Sequence, residues 1–346
     1  MRRPWGVALL GVALIVVIVV AAAVALRVGS ADLTLRDVIA VVLRRLALNS
    51  GEGVTVLADR IVWELRMPRV MGAAAVGAAL AICGVVLQSL TRNELADPYL
   101  LGISSGASVG AVTVLVFGIT LPFVPHSLTL TVAAFAGAVT SMVLVLGLAT
   151  GRSGALPPGR TILAGVALGQ LCGAFTSLAI MVFGSRDVSR EVMTWTLGSF
   201  AGLRWPSAVI MLIALAAALA VLLFAAQALD AFAFGETSAR SLGINVVRTR
   251  WVLLILTALI TASTVAFVGP IGFVGLTVPH LVRIATGPLH RTLLPLSALA
   301  GAALLLVADT LARSLRSGTE IPIGVITAAI GAPVLVYLLR GQARRS

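Results

Sequence analysis

The chain contains no lysine: all 25 of its basic residues are arginine. A phosphate-binding loop of the form GxxxxGK[ST] needs a lysine on the β- and γ-phosphates. The chain therefore carries no Walker-type ATPase, and any ATP-driven step requires nucleotide on another polypeptide. Cysteine is almost as scarce. Cys83 and Cys172 both lie among glycine and alanine, where a free thiol behaves as a small apolar group, so core packing is expected, with no disulfide and no metal site. The three histidines, His126, His280 and His290, show no ligand spacing, and no Ser/His/Asp or paired-carboxylate arrangement suggests hydrolysis. No catalytic residue and no cofactor of this chain is assigned. Charged residues make up only 11% and aromatic residues 5%, far from the balance of a soluble domain.

What is present is apolar. The 346 residues are 59% hydrophobic, with a mean hydropathy of +1.09. Several runs reach the roughly 20 residues needed to cross a bilayer core as a helix. The fold class expected is an all-α polytopic membrane protein, a single domain over 1–346. The 34 glycines suit close helix packing, because small residues let backbones approach where lipid provides no hydrophobic drive. The formal charge of +12 does not point to nucleic acid. The arginines are scattered between apolar spans, so lipid headgroups and partner proteins are the expected counterparts.

Ten spans are expected. The first runs from Trp5 to Leu26, with Arg2 and Arg3 holding its start inside. Residues 29–60 form a polar outer stretch in which Val38–Leu48 reads as an amphipathic surface helix. The second span opens at Arg66-Met67-Pro68-Arg69 and continues through Gly72 to Leu90. Further spans fall at about 102–118, 128–149 and 160–183. Residues 184–205 read as a short, partly embedded helix. A sixth span covers about 208–228, the seventh Trp251–Val268, the eighth about 271–286, the ninth Leu293–Arg313 and the tenth Ile323–Leu339. Arginine counting favours both termini inside once the arginine-rich first outer loop is set aside.

Between the sixth and seventh spans lies a polar island, residues 230–245. Ser238–Leu242 has helix-forming residues and Gly243 is a fitting stop. A short charged helix between two spans is a natural grip for a soluble partner. Asp309 is the one acid well inside a span, and Arg313 follows four residues later, the spacing of an ion pair on one helix face.

A series of motifs carries a family resemblance: Arg66-Met67-Pro68-Arg69, Gly77 to Leu80 with Gln88, Asn93 to Pro98 followed by Leu101 to Ser104, and Gly235-Glu236 with Ala239 to Gly243. Gly269 to Leu276, Pro279 to Arg283, Ala308-Asp309 with Ala312-Arg313, Glu320 to Gly324 and Gly331 to Pro333 continue it. From about residue 60 onward the chain resembles the FecCD-type permease subunit of the ABC importers for iron–siderophore complexes, haem and cobalamin. The resemblance implies ten transmembrane helices, with helices 2–5 and 7–10 related by an inverted repeat. It also implies a second permease subunit, identical or paralogous, two cytoplasmic ATPases holding ATP and Mg, and a substrate-binding protein outside. It assigns Glu236, Ser238, Arg240 and Gly243 to ATPase coupling. Arg66, Arg69 and Arg313 are assigned to binding-protein docking, and Asp309 and Arg313 to a structural ion pair.

The function expected on this basis is import of an iron–siderophore complex across the cytoplasmic membrane, the family's commonest cargo, by alternating access. Haem or cobalamin import is the alternative within the family. A proton- or sodium-coupled secondary transporter is the alternative from another class, and would make Asp309 part of an ion site.

Overall fold

The computed structural model describes residues 4–29, 31, 33–48, 54–120, 122–151, 154–315 and 320–343. Arg2 and Arg3, the expected anchors of the first span, lie outside them. Among the described residues the secondary structure is helical throughout. Helix α1 (Pro4–Arg27) is the first span. Helix α2 (Leu35–Arg45) is the expected amphipathic surface helix, begun earlier because Thr34 and Asp37 form a capping box. Thr34 Oγ1 accepts from the Asp37 N–H at 3.2 Å and Asp37 Oδ2 accepts from the Thr34 N–H at 2.9 Å, which satisfies two groups the helix leaves open. The short α3 (Val56–Asp59) runs through a π-helical stretch, Arg60–Arg66, into α4 (Met67–Thr91). The second span thus belongs to one helix of 36 residues, Val56–Thr91, longer at its start than its sequence motif indicates.

The remaining helices follow the expected spans closely: α5 (Ile103–Phe117), α6 (His126–Ala149) and α7 (Pro158–Phe183). The stretch 184–205 contains α8 (Arg186–Thr196), capped by Ser185 and burying Val192. Then come α9 (Trp205–Phe224), α10 (Ala226–Ala233) and α11 (Glu236–Ser241). The chain ends with α12 (Val246–Val268), α13 (Val274–Thr286), α14 (His290–Ser314) and α15 (Ile323–Ala343). Among the described residues seven helices are long and apolar enough to cross a membrane. The shorter apolar α5 and α15 add two, and the 13-residue α13, which carries His280 and Arg283, occupies the place of the expected eighth span.

Helix α4 is the hub. It packs against α14, α9, α13 and α12, and 89% of its most apolar window is buried within the protein, against 6% for α1 and for α7. Small residues make this possible. A Cβ built on Gly77 would lie 2.1 Å from the Gly301 carbonyl oxygen on α14, and one on Gly84 would lie 1.9 Å from that of Gly275 on α13. Backbone meets backbone at both places, which is how helices associate strongly among apolar surroundings.

The helix neighbours come in matched pairs. α4 packs on α14 as α12 packs on α6, and α4 on α13 as α12 on α5. Likewise α5 with α6 corresponds to α13 with α14, and α6 with α7 to α14 with α15. Both halves also break alike. After α4 the chain turns through Pro98–Gly102 before the 15-residue α5, and after α12 it turns at Gly269–Phe273 before the 13-residue α13. Five spans separate the starts of α4 and α12, so the two halves run in opposite directions. The pairings follow the inverted repeat of helices 2–5 and 7–10.

The close approach predicts a contrast between glycines. Gly77→Ala should destabilise the fold by about 1–3 kcal/mol through overpacking. Gly147→Ala, whose Cβ would meet nothing within 4 Å, should be neutral or stabilising, since alanine is the better helix former. Thermal unfolding of the detergent-solubilised variants checks this; equal midpoints for the two would refute backbone contact at Gly77.

Candidate functional site

At one end of the bundle α10 and α11 stand out from the spans. The chain leaves α10 through Gly235, whose φ of 110° lies where a side chain is strained. Glu236 opens α11 and accepts a 2.8 Å hydrogen bond from Arg250 Nη2 at the start of α12. Arg250 is buried, donates also to the Leu156 carbonyl at 3.3 Å, and places its guanidinium 5.5 Å from the Phe232 ring centroid. The hydrogen bond from Arg250 holds the Glu236 carboxyl below its ordinary pKa, so Glu236 is a carboxylate at neutral pH. Arg240 reaches the other Glu236 oxygen at 3.7 Å from a side chain that is 66% exposed. The Ser238 hydroxyl donates back to the Phe234 carbonyl, and Gly243, at φ 78°, turns the chain into α12.

The four residues assigned to coupling are thus together, but not equivalent. Arg240 and Gly243 are exposed, while Glu236 and Ser238 are half-buried, with Glu236 pinning α11 to the bundle. The outward surface includes two apolar side chains to which the motif reading assigned no role, Phe234 at 80% and Leu242 at 71% exposure. Arg250 was equally unassigned. Its partner lies fourteen residues away across a turn, a separation that no helical or strand period marks.

Just inside this end the structure assembles a chain that sequence spacing did not show. Asp230 on α10 accepts the backbone N–H of His290 at 2.9 Å, and the same Oδ1 sits 2.6 Å from His290 Nδ1. His290 Nε2 lies 2.6 Å from the Ser89 hydroxyl on α4. A Ser/His/Asp set is therefore present, in contrast to the sequence reading. It is not a nucleophile centre, because Ser89 and His290 are both buried and Ser89 also bonds the Val85 carbonyl. Beside it Arg283 donates to Gln88 Oε1 at 3.0 Å, and Gln88 Nε2 donates to the Leu276 carbonyl at 3.1 Å. His280 Nδ1 and Glu94 Oε2 are 3.0 Å apart.

The arginines assigned to docking lie at the opposite end, and all three are turned inward. Arg66 donates through Nη1 to the Leu26 and Arg27 carbonyls, both at 2.7 Å, and through Nη2 to Ala31 at 2.8 Å. Arg313 donates to the Val28 and Ala25 carbonyls at 3.0 and 3.1 Å, and its Nε stands 3.2 Å from Asp309 Oδ2. These two guanidiniums take the carbonyls that the last turn of α1 leaves open, where positive charge also suits the helix dipole. Arg69 contacts Asp309 through Nε and Nη2 and Glu320 through Nη1 and Nη2. The Asp309–Arg313 pair is thus present, and Arg69 shares its carboxylate. None of the three arginines offers a free fork to a soluble partner. Exposed arginines at this end include Arg27, Arg36, Arg44 and Arg60, and Arg45, which pairs with Asp59.

Among the described residues no cluster of His, Cys, Asp and Glu is arranged to hold a metal ion. Cys83 is buried with its Sγ 3.6 Å from the Thr257 carbonyl.

Comparison with known proteins bears on the whole chain. The FecCD transport family matches residues 14–341. A cobalamin import system permease protein of Halobacterium salinarum is 45% identical over 294 residues, spanning 85% of this chain and 77% of the relative. A vitamin B12 import system permease protein of Vibrio cholerae is 42% identical over 284 residues, 82% of this chain and 83% of the relative. Among solved structures, a metal-chelate type ABC transporter in an inward-facing conformation superposes with a TM-score of 0.80 at 28% identity, over 96% of this chain and 99% of that one. Motifs, ten helices, inverted pairing and these relatives agree: the chain is a multi-pass membrane protein and belongs to the FecCD transport family of ABC importer permeases.

Proposed function

We propose that this chain is the membrane subunit of an ATP-driven importer that carries a cobalamin across the cytoplasmic membrane by alternating access, with both termini and α11 on the cytoplasmic side. The observation that carries the energy-coupling part is α11 itself. It is a short exposed helix tied to the bundle by the Glu236–Arg250 pair, in a chain without lysine and so without a phosphate-binding loop of its own. ATP and Mg belong to a partner ATPase, which meets Phe234, Arg240 and Leu242. The cargo assignment rests on the relatives' names, which favour cobalamin over the iron–siderophore complex that family frequency alone would select.

The assembly in this reading has a second permease subunit, a copy or a paralogue, two ATPases and a cargo-binding protein outside. Docking of that protein falls on the end bearing Arg66, Arg69 and Arg313. Those three act by fixing the ends of α1, α4 and α14, while Arg36, Arg44 and Arg60 supply the accessible charge that speeds and orients association. A secondary transporter fits less well. Asp309, its one candidate ion-coupling acid, is taken up by Arg69 and Arg313.

Two measurements test the proposal. In the first, Arg240→Glu combined with Leu242→Asp should abolish co-purification of the ATPase while leaving thermal unfolding unchanged. Glu236→Gln should instead destabilise the fold by about 1–3 kcal/mol, because it leaves Arg250 without its carboxylate. Full assembly in the double variant would sink the docking assignment.

The second is uptake into proteoliposomes holding the complete complex. Labelled cobalamin should accumulate with ATP and not without it, and a ferric siderophore should not compete. Siderophore uptake without cobalamin uptake would overturn the cargo.

A further inference from the structure

The helix preceding α11 buries Leu229, Ala231 and Phe232 in the core of the bundle and adds a polar contact through the Asp230 carboxylate. Helix α14 begins at His290, and its N-cap, Leu289, provides no side-chain acceptor. The open N–H groups of a first helical turn normally take an oxygen from the same chain segment. Here the oxygen comes from another helix. Asp230 Oδ1 accepts the His290 N–H at 2.9 Å and also meets its Nδ1 at 2.6 Å, so one acid holds both the backbone and the side chain of α14's first residue. A negative charge at a helix N-terminus is favourable in its own right. His290 then passes the connection on, its Nε2 lying 2.6 Å from Ser89 Oγ near the end of α4. Ser89 and His290 are 5% and 1% exposed, while the Asp230 side chain is 27% exposed, so water is kept from the His290–Ser89 bond, which is costly to leave unmade.

Helices α4 and α14 are among the most deeply buried of the bundle, at 89% and 67% of their apolar windows. They touch backbone to backbone at Gly77 and Gly301. Asp230 is on α10, which the two residues Phe234 and Gly235 join to α11. We infer that the Asp230–His290–Ser89 chain is a latch through which displacement of the ATPase-facing segment is delivered to α14 and α4, making these three positioning residues for transport. The inference rests on the ATPase-docking reading of α11 and adds the route by which motion enters the bundle. Allosteric coupling is a free-energy difference between two arrangements, and a packed, fully bonded contact transmits displacement where a loose loop would absorb it.

The test uses the reconstituted complex of permease, ATPase and cargo-binding protein, with transport and ATP hydrolysis measured on the same vesicles. Asp230→Asn keeps the size of the side chain and removes the charge. It should leave ATPase co-purification intact and hydrolysis near the parent rate, while transport per ATP falls about fivefold or more, the lower end of typical coupling factors. Ser89→Ala leaves the Asp230–His290 contact in place and should give a smaller loss, restored by Ser89→Thr, which returns the hydroxyl. Should Asp230→Asn fail to assemble, Ser89→Ala and Ser89→Thr carry the test alone. An unchanged transport-to-hydrolysis ratio in Ser89→Ala, or a loss that Ser89→Thr does not restore, overturns the latch. Transport and hydrolysis falling in proportion in Asp230→Asn overturns it as well. Failure of the docking reading shows elsewhere, as ATPase retention by the Arg240→Glu, Leu242→Asp variant.

Discussion

The structure depends on the antiparallel contact between α4 and α14. Its register is kept along the full length of both helices: Arg69 meets Asp309 near one end, Gly77 meets Gly301 in the middle, and Ser89 meets His290 at the other. Each step toward the C-terminus of α4 is matched by a step toward the N-terminus of α14. The three zones use different physics. An ion pair orients one end, direct backbone approach sets the spacing, and a hydrogen-bonded imidazole fixes the other end. In apolar surroundings no hydrophobic force favours one helix pairing over another, so geometry of this kind must select the partner.

The ends of the bundle show how an arginine-only basic inventory is used. Removing a guanidinium from water is costly unless its donors are occupied. Arg66, Arg313 and Arg69 meet this with carbonyls of α1 and with the carboxylates of Asp309 and Glu320. Arg250 meets it in part, through Nη2 to Glu236, Nη1 to Leu156 and the nearby face of Phe232, while its buried Nε has no acceptor. The planar fork, with five donors, reaches two or three acceptors at once, which a lysine ammonium at the same positions would do less well. In the proposed reading partners meet the exposed remainder: Arg240 on α11 with the flanking Phe234 and Leu242 at one end, Arg36, Arg44 and Arg60 at the other.

Much of this was legible in the chain. Apolar run length located the spans to within a few residues, and Gly243 marked the end of the short polar helix. The spacing of Asp309 and Arg313 gave the intrahelical pair correctly. What escaped reading depends on contacts between distant segments. Arg69 shares Asp309 from 240 residues away, and Asp230, His290 and Ser89 sit on three separate helices, so no periodicity joins them. For the arginines assigned to docking, sequence gives the place at a helix mouth but not which way a guanidinium turns: α1's open carbonyls turn Arg66 and Arg313 inward, and Asp309 and Glu320 turn Arg69. The π-helical entry to α4 likewise leaves no compositional mark, since nothing in Arg60–Arg66 separates a π-helical turn from an α-helical one.

If α10, α11 and the α4–α14 pair are joined as the account holds, they move as one body when the ATPase cycles. The most direct measurement is the distance between spin labels on the exposed positions Ser241 and Arg291, in a chain with Cys83 and Cys172 replaced by alanine, within the assembled complex. The account predicts a separation constant to within about 2 Å, the scale of small helix shifts, between nucleotide-free and ATP-bound states, and a nucleotide-dependent change once Asp230 is replaced by asparagine. A separation that changes with nucleotide in the parent, or a variant that behaves like it, would contradict the account.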